Sequence, residues 1–283
     1  MKIYRRSLTW LFITLFSAPI LAQENLNENV VEAPNFEKGQ MFVFWGWNRA
    51  VFSNSDIRFK GEGYDFSLLD VKAHDNPATI TYDNYLKPDR LTIPQTNARI
   101  GYFIKDDVAV VLALDHMKYV MDQNQKAEFR GHISDPEFAS KVVGNTIDLS
   151  DESFLTFEHT DGLNYVNVGL EKYKPLIQKK NLMLHVAYGA GAGVLYPKSN
   201  VKLFGNPRSD RFHVAGFGTD ARTSLNMVAY KHVLLRVEGK VGYANMMDIK
   251  TTLNNKPDKA QQDFVYAQLN FGIGYTFRTK KNI

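Results

Sequence analysis

The sequence predicts an all-β fold, an eight-stranded antiparallel up-and-down β-barrel, and three observations lead to this prediction. Large apolar residues alternate with small or polar ones through eight segments, which in a strand places the two kinds on opposite faces. The links between these segments are alternately short and long. Aromatic residues make up 13% of the chain, yet beyond its start no run is apolar for the roughly 18 residues that a membrane helix needs.

The amino terminus predicts a secretory signal peptide at residues 1–22. Lys2, Arg5 and Arg6 form its positive start. The segment Leu8–Leu21 is largely apolar, and Ala22 is the small residue before cleavage. Removing the three basic residues takes 34 Lys and Arg to 31, against 30 acidic residues, so the mature net charge is about +1. This near-neutral balance argues against a nucleic-acid partner, and the absence of cysteine excludes disulfides and a lipid-anchored cysteine.

The remaining chain predicts a flexible periplasmic segment at residues 23–39, a barrel at residues 40–278 and a basic periplasmic tail at residues 279–283. The predicted strands are Gln40–Ala50, Thr96–Lys105, Val108–Val120, Gly162–Lys174, Leu182–Tyr196, His213–Tyr230, Val233–Lys250 and Phe264–Phe277. An even number of strands returns the chain to the side on which it started, as a closed barrel requires.

The connections support this topology. Tight links are expected at residues 105–107, 177–181 and 231–232, and long polar stretches at residues 51–95, 121–161, 197–212 and 251–263. Short periplasmic turns and long extracellular loops alternate in this way in membrane barrels. The first loop contains a predicted hairpin around Gly61–Gly63, and the second a short helix with Asp135 as N-cap and Pro136 at its first position.

The two faces of the strands indicate a membrane rather than a soluble sheet. In the seventh strand Leu235, Val237 and Val241 share one phase, opposite Arg236, Glu238 and Lys240. A soluble β-sandwich would also alternate, but its exposed face would not need so many glycines, which weaken a strand. A narrow barrel lumen does need small residues, and the apolar face then meets lipid. A soluble barrel or sandwich is the alternative.

Isolated charges on the polar face predict a network inside the lumen. The inward residues are Arg99, Asp115, Glu171, Asp220, Arg222, Arg236, Glu238 and Lys240. Four charges of each sign neutralise one another, whereas unpaired charges in a narrow lumen would be costly. The network therefore predicts a plugged barrel. Separately, no cofactor and no metal are expected.

The chain resembles the small bacterial outer-membrane β-barrel proteins, of the OmpX and OmpA transmembrane-domain type, over residues 40–277. The closing strand carries the sharper similarity, because Asn270, Gly272, Tyr275 and Phe277 fit the polar-x-Gly-x-x-aromatic-x-aromatic signal of the family. The usual family ends at the final aromatic residue, whereas this chain continues with "RTKKNI". The resemblance implies the bacterial outer membrane, reached through the periplasm, and recognition by the barrel assembly machinery. The sequence leaves the oligomeric state open, and a monomer is favoured. It also implies a structural or surface-interaction role toward an unidentified extracellular ligand.

Two other functions are compatible with the sequence. His159 and Asp161 are candidates for an enzyme that modifies the acyl chains of lipid A or phospholipid, although no serine stands at a matching position. The polar lumen would also suit a small diffusion pore. On the lipid-facing phase, His116 and Lys118 lie near the outer end of their strand and are expected to contact lipopolysaccharide phosphates.

Overall fold

The computed structural model describes residues 36–85, 87, 95–208, 211–253 and 257–278, and antiparallel β-strands dominate it. The strands are β1 (Gln40–Phe52), β2 (Ser55–Gly61), β3 (Tyr64–Val71), β4 (Ala73–Asp75), β5 (Thr96–Lys105), β6 (Val108–Met117), β7 (Tyr119–Met121), β8 (Lys126–Ile133), β9 (Val142–Val143), β10 (Thr146–Asp148), β11 (Leu155–Glu158), β12 (Leu163–Lys179), β13 (Leu182–Leu195), β14 (Asn200–Leu203), β15 (Gly216–Ala229), β16 (Val233–Lys250) and β17 (Lys259–Arg278). Two short helices, α1 (Tyr82–Tyr85) and α2 (Pro136–Ala139), lie in the connections. Among the described residues, no helix is long and apolar enough to cross a membrane.

Eight strands close into a ring. Their order is β1–β5–β6–β12–β13–β15–β16–β17, and β17 pairs with β1 to complete the circle. The closing pair is in register from Gln40 opposite Arg278 to Phe52 opposite Tyr266, so the barrel has no free edge. The eight strands are those that the sequence predicts, and the fold class is confirmed. The last one is longer than expected, because β17 begins at Lys259 instead of Phe264.

The barrel wall is apolar on the outside. On β16, Val233, Leu235 and Val237 are 38%, 42% and 51% exposed, whereas the intervening Leu234 and Arg236 are buried. The same alternation holds on β12, β15 and β17. A continuous exposed apolar surface is unfavourable in water, but it is the surface that lipid requires. The architecture is that of an outer-membrane-type β-barrel.

Tight turns close one end of the barrel, which we call the turn end. They lie at residues 106–107, 180–181 and 230–232, close to the predicted links. The lumen at this end is filled by apolar side chains, namely Phe42, Phe44, Phe103, Ala109, Val111, Tyr173, Met183, Ala187, Val228 and Leu234.

Phe36 seals the apolar layer at the turn end. Its ring stacks on Phe103 with centroids 4.6 Å apart and contacts Tyr173 at 5.0 Å. The expected flexible segment at residues 23–39 is thus corrected at its end, because Phe36 is buried in the lumen. The predicted signal peptide at residues 1–22 and the basic tail at residues 279–283 lie outside the described residues.

The long connections fold together at the opposite end. Residues 259–262 of β17 pair with β2, and this sheet continues through β3, β8, β10 and β9. A second sheet, in the order β14–β11–β7–β4, packs against it. We call this two-sheet unit the head; its described residues are 53–85, 118–162, 196–208, 247–253 and 257–262. The sequence predicts long loops here, and the structure shows a folded unit.

The head has its own hydrophobic core. Its members include Ile57, Phe59, Phe66, Leu68, Tyr119, Ile147, Phe154, Leu155, Phe157 and Val201. This core is continuous with the barrel mouth through Tyr165, Met246 and Tyr266. The predicted hairpin is confirmed, with Gly63 at a φ of 79° in its turn, where a side chain would be strained.

The predicted short helix in the second loop is also confirmed, as α2. Its N-cap is Asp135, whose side chain accepts a hydrogen bond from the Glu137 N–H at 2.9 Å. Pro136 occupies the first helical position, where its missing N–H costs nothing.

Candidate functional site

The predicted lumenal charges come together in the middle of the barrel, and all of them are buried. Arg99 lies 2.6 Å from Asp115 and 3.0 Å from Glu238. Arg236 lies 2.5 Å from the other oxygen of Glu238 and 2.8 Å from Glu171. Each arginine thus joins two carboxylates on different strands.

The other members complete a closed ring. Arg222 lies 3.7 Å from Glu171 and 2.7 Å from Asp220. Lys240 lies 3.9 Å from Asp220 and forms an ion pair with Asp115. The ring starts at Asp115 and returns to it, and its charges alternate in sign. Their order is Asp115, Arg99, Glu238, Arg236, Glu171, Arg222, Asp220 and Lys240. We call this arrangement the charge ring.

Three neutral side chains add hydrogen bonds to the charge ring; the sequence singles out only Asn270 among them, and only as part of the closing-strand signal. The Tyr173 hydroxyl donates to Glu171 at 2.7 Å, and the Tyr165 hydroxyl donates to Asp220 at 3.0 Å. The Asn270 amide donates to Glu238 at 2.7 Å. All three share the inward phase of their strands, which is the signal that would have identified them.

Glycines in β12 and β13 make room for the charge ring. A β-carbon at Gly191 would collide with the guanidinium of Arg222, and one at Gly169 would press on the same group. The guanidinium can therefore extend over β13 from β15 to Glu171 on β12 only because these positions lack side chains. Gly191 in β13 and Gly169 in β12 are thus explained by the charged group that they accommodate.

The charge ring and its neighbours close the lumen at three levels. The apolar layer sealed by Phe36 lies at the turn end, the charge ring lies in the middle, and the head core covers the mouth. Because each charge already has two partners of opposite sign, the ring offers no unpaired charge to a passing ion. The geometry therefore suits a structural plug.

The candidate catalytic residues His159 and Asp161 are separated by the fold. His159 is fully buried in the head, where its Nδ1 lies 2.7 Å from the Ser199 hydroxyl and its Nε2 lies 3.3 Å from Gln262 Oε1. Asp161 instead pairs with Arg208 at 2.8 Å and Lys198 at 3.2 Å. The expected pairing of base and acid is therefore corrected, because the aspartate does not orient the histidine.

The contacts of His159 fix its protonation state. Gln262 donates its amide N–H groups to Ser55 at 2.9 Å and Tyr119 at 2.8 Å, so its Oε1 is left to accept from His159 Nε2. Nδ1 then accepts from the Ser199 hydroxyl. Burial lowers the pKa of His159 to about 4, so the ring is neutral at pH 7.

Ser199 was not selected in the sequence analysis, because it is 40 residues from His159. It is only 2% exposed, and His159 is 0% exposed, so a substrate cannot reach either group in this structure. The pair therefore belongs to a buried polar network that stabilises the head.

The remaining predicted residues lie on the barrel wall or, for Lys118, at its border with the head. His116 is half-buried on the outer face, and its Nδ1 lies 2.9 Å from the Asn164 side chain; Lys118 is half-buried just beyond β6. In the assembly signal, Asn270 and Gly272 share the inward phase. Tyr275 and Phe277 share the outward phase, and their rings are stacked 6.3 Å apart. Within the described ranges, no group of three or more His, Asp or Glu is placed to hold a metal ion.

Comparisons with known proteins show that this chain is similar to several solved outer-membrane proteins. No family model matches the chain, and no curated protein matches it. The outer membrane protein OprG from Pseudomonas aeruginosa is 9% identical over 87% of this chain and 99% of that chain, with a TM-score of 0.42. Ail, the attachment invasion locus protein of Yersinia pestis, is 12% identical over 85% of this chain and 99% of its own, with a TM-score of 0.34. The outer membrane protease OmpT from Escherichia coli is 9% identical over 87% and 99%, with a TM-score of 0.29. Since these scores are below 0.5, the barrel assignment rests on the strand pairing of this chain itself.

Proposed function

We propose that this protein is a non-conducting barrel of the bacterial outer membrane that presents its head as a surface-interaction module. The observation that carries the proposal is the combination of a lumen closed by the charge ring and long loops folded around their own core. A pore needs a continuous polar passage, whereas a binding surface benefits from rigid loops. The proposed orientation places the head outside the cell and the tight turns in the periplasm. The proposed barrel is a monomer that the barrel assembly machinery inserts.

Preorganisation of the head favours binding. Ordering flexible loops on association costs roughly 0.5–1.5 kcal/mol for each immobilised side chain. Here the loops are already held by the core and by hydrogen bonds such as that from Asn200 to Glu158 at 2.5 Å. A ligand would therefore meet a surface whose ordering cost has already been met in folding.

Two polar clefts on the head are the places where a ligand would bind. One, of about 240 Å³, is lined by Gln123, Glu152, Glu158, Asn200 and Lys202, among others. The other, of about 310 Å³, lies between β2, β3, β16 and β17 and is lined by Asp56, Arg58, Asn245, Gln261 and Asp263, among others. Amide and charged groups in such clefts fit a polar ligand, for example a carbohydrate.

The membrane part of the proposal is tested by fractionation and conductance. We expect the mature protein to sediment with outer membranes, to change its electrophoretic mobility on boiling, and to give no conductance steps in planar bilayers. A soluble product whose mobility is unaffected by heat would contradict the membrane assignment. Discrete conductance steps would contradict a plugged lumen and would indicate that the barrel is a pore.

The binding part is tested with cells that display the protein. Adhesion to immobilised glycans and extracellular-matrix proteins is compared between the full chain and a variant whose residues 53–94 and 121–160 are replaced by short turns. The variant must still show heat-dependent mobility, which proves that its barrel has folded. Equal adhesion by both proteins would contradict the surface-interaction role of the head, but it would not contradict the proposed membrane barrel.

A further inference from the structure

A depression interrupts the lipid-facing wall of the barrel on its head side. It lies over two neighbouring cross-strand rows of outward residues, in which Gly239, Ala221, Ala267 and Thr223 are small. One row runs from Thr223 through Gly239 and Leu269 to Arg49, and the other from Ala221 through Val241 and Ala267 to Val51. The depression has a volume of about 380 Å³, which falls within the range of ligand clefts, roughly 300–1,000 Å³.

Larger side chains border the depression along the barrel axis. The adjacent row toward the turn end contains Leu225, Val237, Phe271 and Trp47 in register. The adjacent row toward the head contains Tyr243 and Val265. The depression is thus a trough between bulky rows, and it exists because Gly239 has no side chain: a β-carbon there would have no atom within 4 Å.

Arg49 places a positive charge at the side of this trough. Its guanidinium donates to the Asn48 carbonyl oxygen at 2.7 Å and to the Tyr85 hydroxyl at 2.9 Å, both of which are neutral acceptors. In the described part of the chain, no carboxylate forms an ion pair with Arg49. Asp75 is near enough to act on it electrostatically, but the Asp75 oxygens accept hydrogen bonds from Ala50 and Gln95.

A cation on a lipid-facing wall requires a counter-charge. An arginine facing lipid near mid-membrane costs about 2–4 kcal/mol, and less toward the interface. Arg49 lies in the head-side half of β1 and is held by Tyr85 of α1, so it faces the leaflet on the side of the head. A phosphate beside an apolar trough is the chemistry of a lipid that carries both a phosphorylated headgroup and acyl chains.

We propose that the trough and Arg49 bind one lipopolysaccharide molecule, with an acyl chain over Gly239 and Ala267 and a phosphate on Arg49. This inference rests on the proposed location in the outer membrane, where lipopolysaccharide is the anionic lipid of the outer leaflet. The trough gives shape selectivity for a chain, and the guanidinium gives selectivity for the phosphate.

The test measures lipid that is retained by the full-length mature protein. Native mass spectrometry counts the lipopolysaccharide bound to barrels extracted in mild detergent, and purified lipopolysaccharide or phosphatidylglycerol is then titrated into the delipidated protein. We compare the wild type with Gly239→Leu, which fills the trough, and Arg49→Gln, which removes the charge. The matched control is Val168→Leu, which enlarges an exposed side chain on β12, outside both rows of the trough.

We expect about one retained lipopolysaccharide in the wild type and the control. Affinity should fall about tenfold or more in Arg49→Gln, as for the loss of one charge-assisted hydrogen bond. Equal retention by all four proteins would overturn the inference, and so would a preference for phosphatidylglycerol. A dimer that Gly239→Leu converts to a monomer would reassign the trough to a second copy of the chain. Heat-dependent mobility in every variant would show that the proposed barrel stands independently of these outcomes.

Discussion

Replacing Glu238 by Gln tests whether the charge ring stabilises the barrel. Glu238 accepts hydrogen bonds from Arg99 at 3.0 Å, from Arg236 at 2.5 Å and from Asn270 at 2.7 Å. Glutamine keeps the shape of the side chain but leaves four positive charges facing three negative ones. Breaking a buried ion pair by removing one partner costs about 3–5 kcal/mol, and we expect a loss of this size in the free energy of unfolding.

The measurement is urea unfolding of the barrel in lipid vesicles, followed by the fluorescence of Trp45 and Trp47 on β1 and by gel mobility without boiling. Glu238→Gln combined with Arg99→Gln restores three charges of each sign. The double variant should therefore lose less stability than the sum of the two single variants, by about 0.5–3 kcal/mol. If Glu238→Gln unfolds within about 1 kcal/mol of the wild type, or if the two effects add, the ring is not a coupled network.

Three further perturbations test other parts of the structure. Gly239→Arg should cost about 2–4 kcal/mol in refolding into vesicles, while Gly239→Leu should leave stability unchanged; the reverse order would invert the assignment of the two faces. Because His159 has a pKa of about 4 in the head and 6.5 when unfolded, the unfolded state binds the extra proton between these values. The free energy of unfolding of the head should therefore fall by about 3 kcal/mol as the pH falls from 6.5 to 4. If the free energy of unfolding of the full-length His159→Gln variant depends on pH as steeply as that of the wild type, this linkage is refuted. Phe36→Ala should cost about 3 kcal/mol in unfolding experiments, yet planar bilayers should stay silent because the charge ring still closes the lumen; conductance steps would contradict the plug.

The barrel could be predicted because its signal is repeated over long segments. Alternation on β16 and β17 extends over 18 and 20 residues, so a wrong phase would misplace many apolar side chains at once. The phase also identified the inward charges. It did not predict that they form a closed ring, because the ion pairs depend on register and on side chains that cross the lumen, such as Arg99 to Glu238, 139 residues apart.

The head could not be predicted by the same reasoning. Its strands are short: β11 and β14 have four residues each, and β9 has two. Their partners are distant in sequence, as for Tyr64 opposite Ile133 in β3 and β8. Alternation over so few residues is weak, and polar stretches between the strands make the whole region resemble loops.

His159 shows why nearness in sequence was a poor guide to chemistry. Two residues on, Asp161 occupies the surface with Arg208 and Lys198, while His159 faces Ser199 in the core. The strand β11 ends at Glu158 and the backbone bends at Asp161, so the alternation of a strand does not continue through both residues. Spacing alone therefore suggested an acid–base pair that the fold divides.

The distribution of polar groups explains where function is to be sought. Inside the barrel, the members of the charge ring are paired with one another, and around His159 the hydrogen bonds form a buried network. Outside, Arg49 donates to neutral oxygens beside an apolar trough, and the head carries polar clefts above the membrane. The ion pairs that stabilise the fold and the surfaces proposed for recognition therefore lie in different places: the ion pairs are in the lumen, and the proposed binding surfaces are on the outer wall and the head. A substitution in the charge ring should therefore lower the free energy of unfolding without changing the amount of lipid retained. Arg49→Gln should reduce the amount of lipid retained without changing the free energy of unfolding.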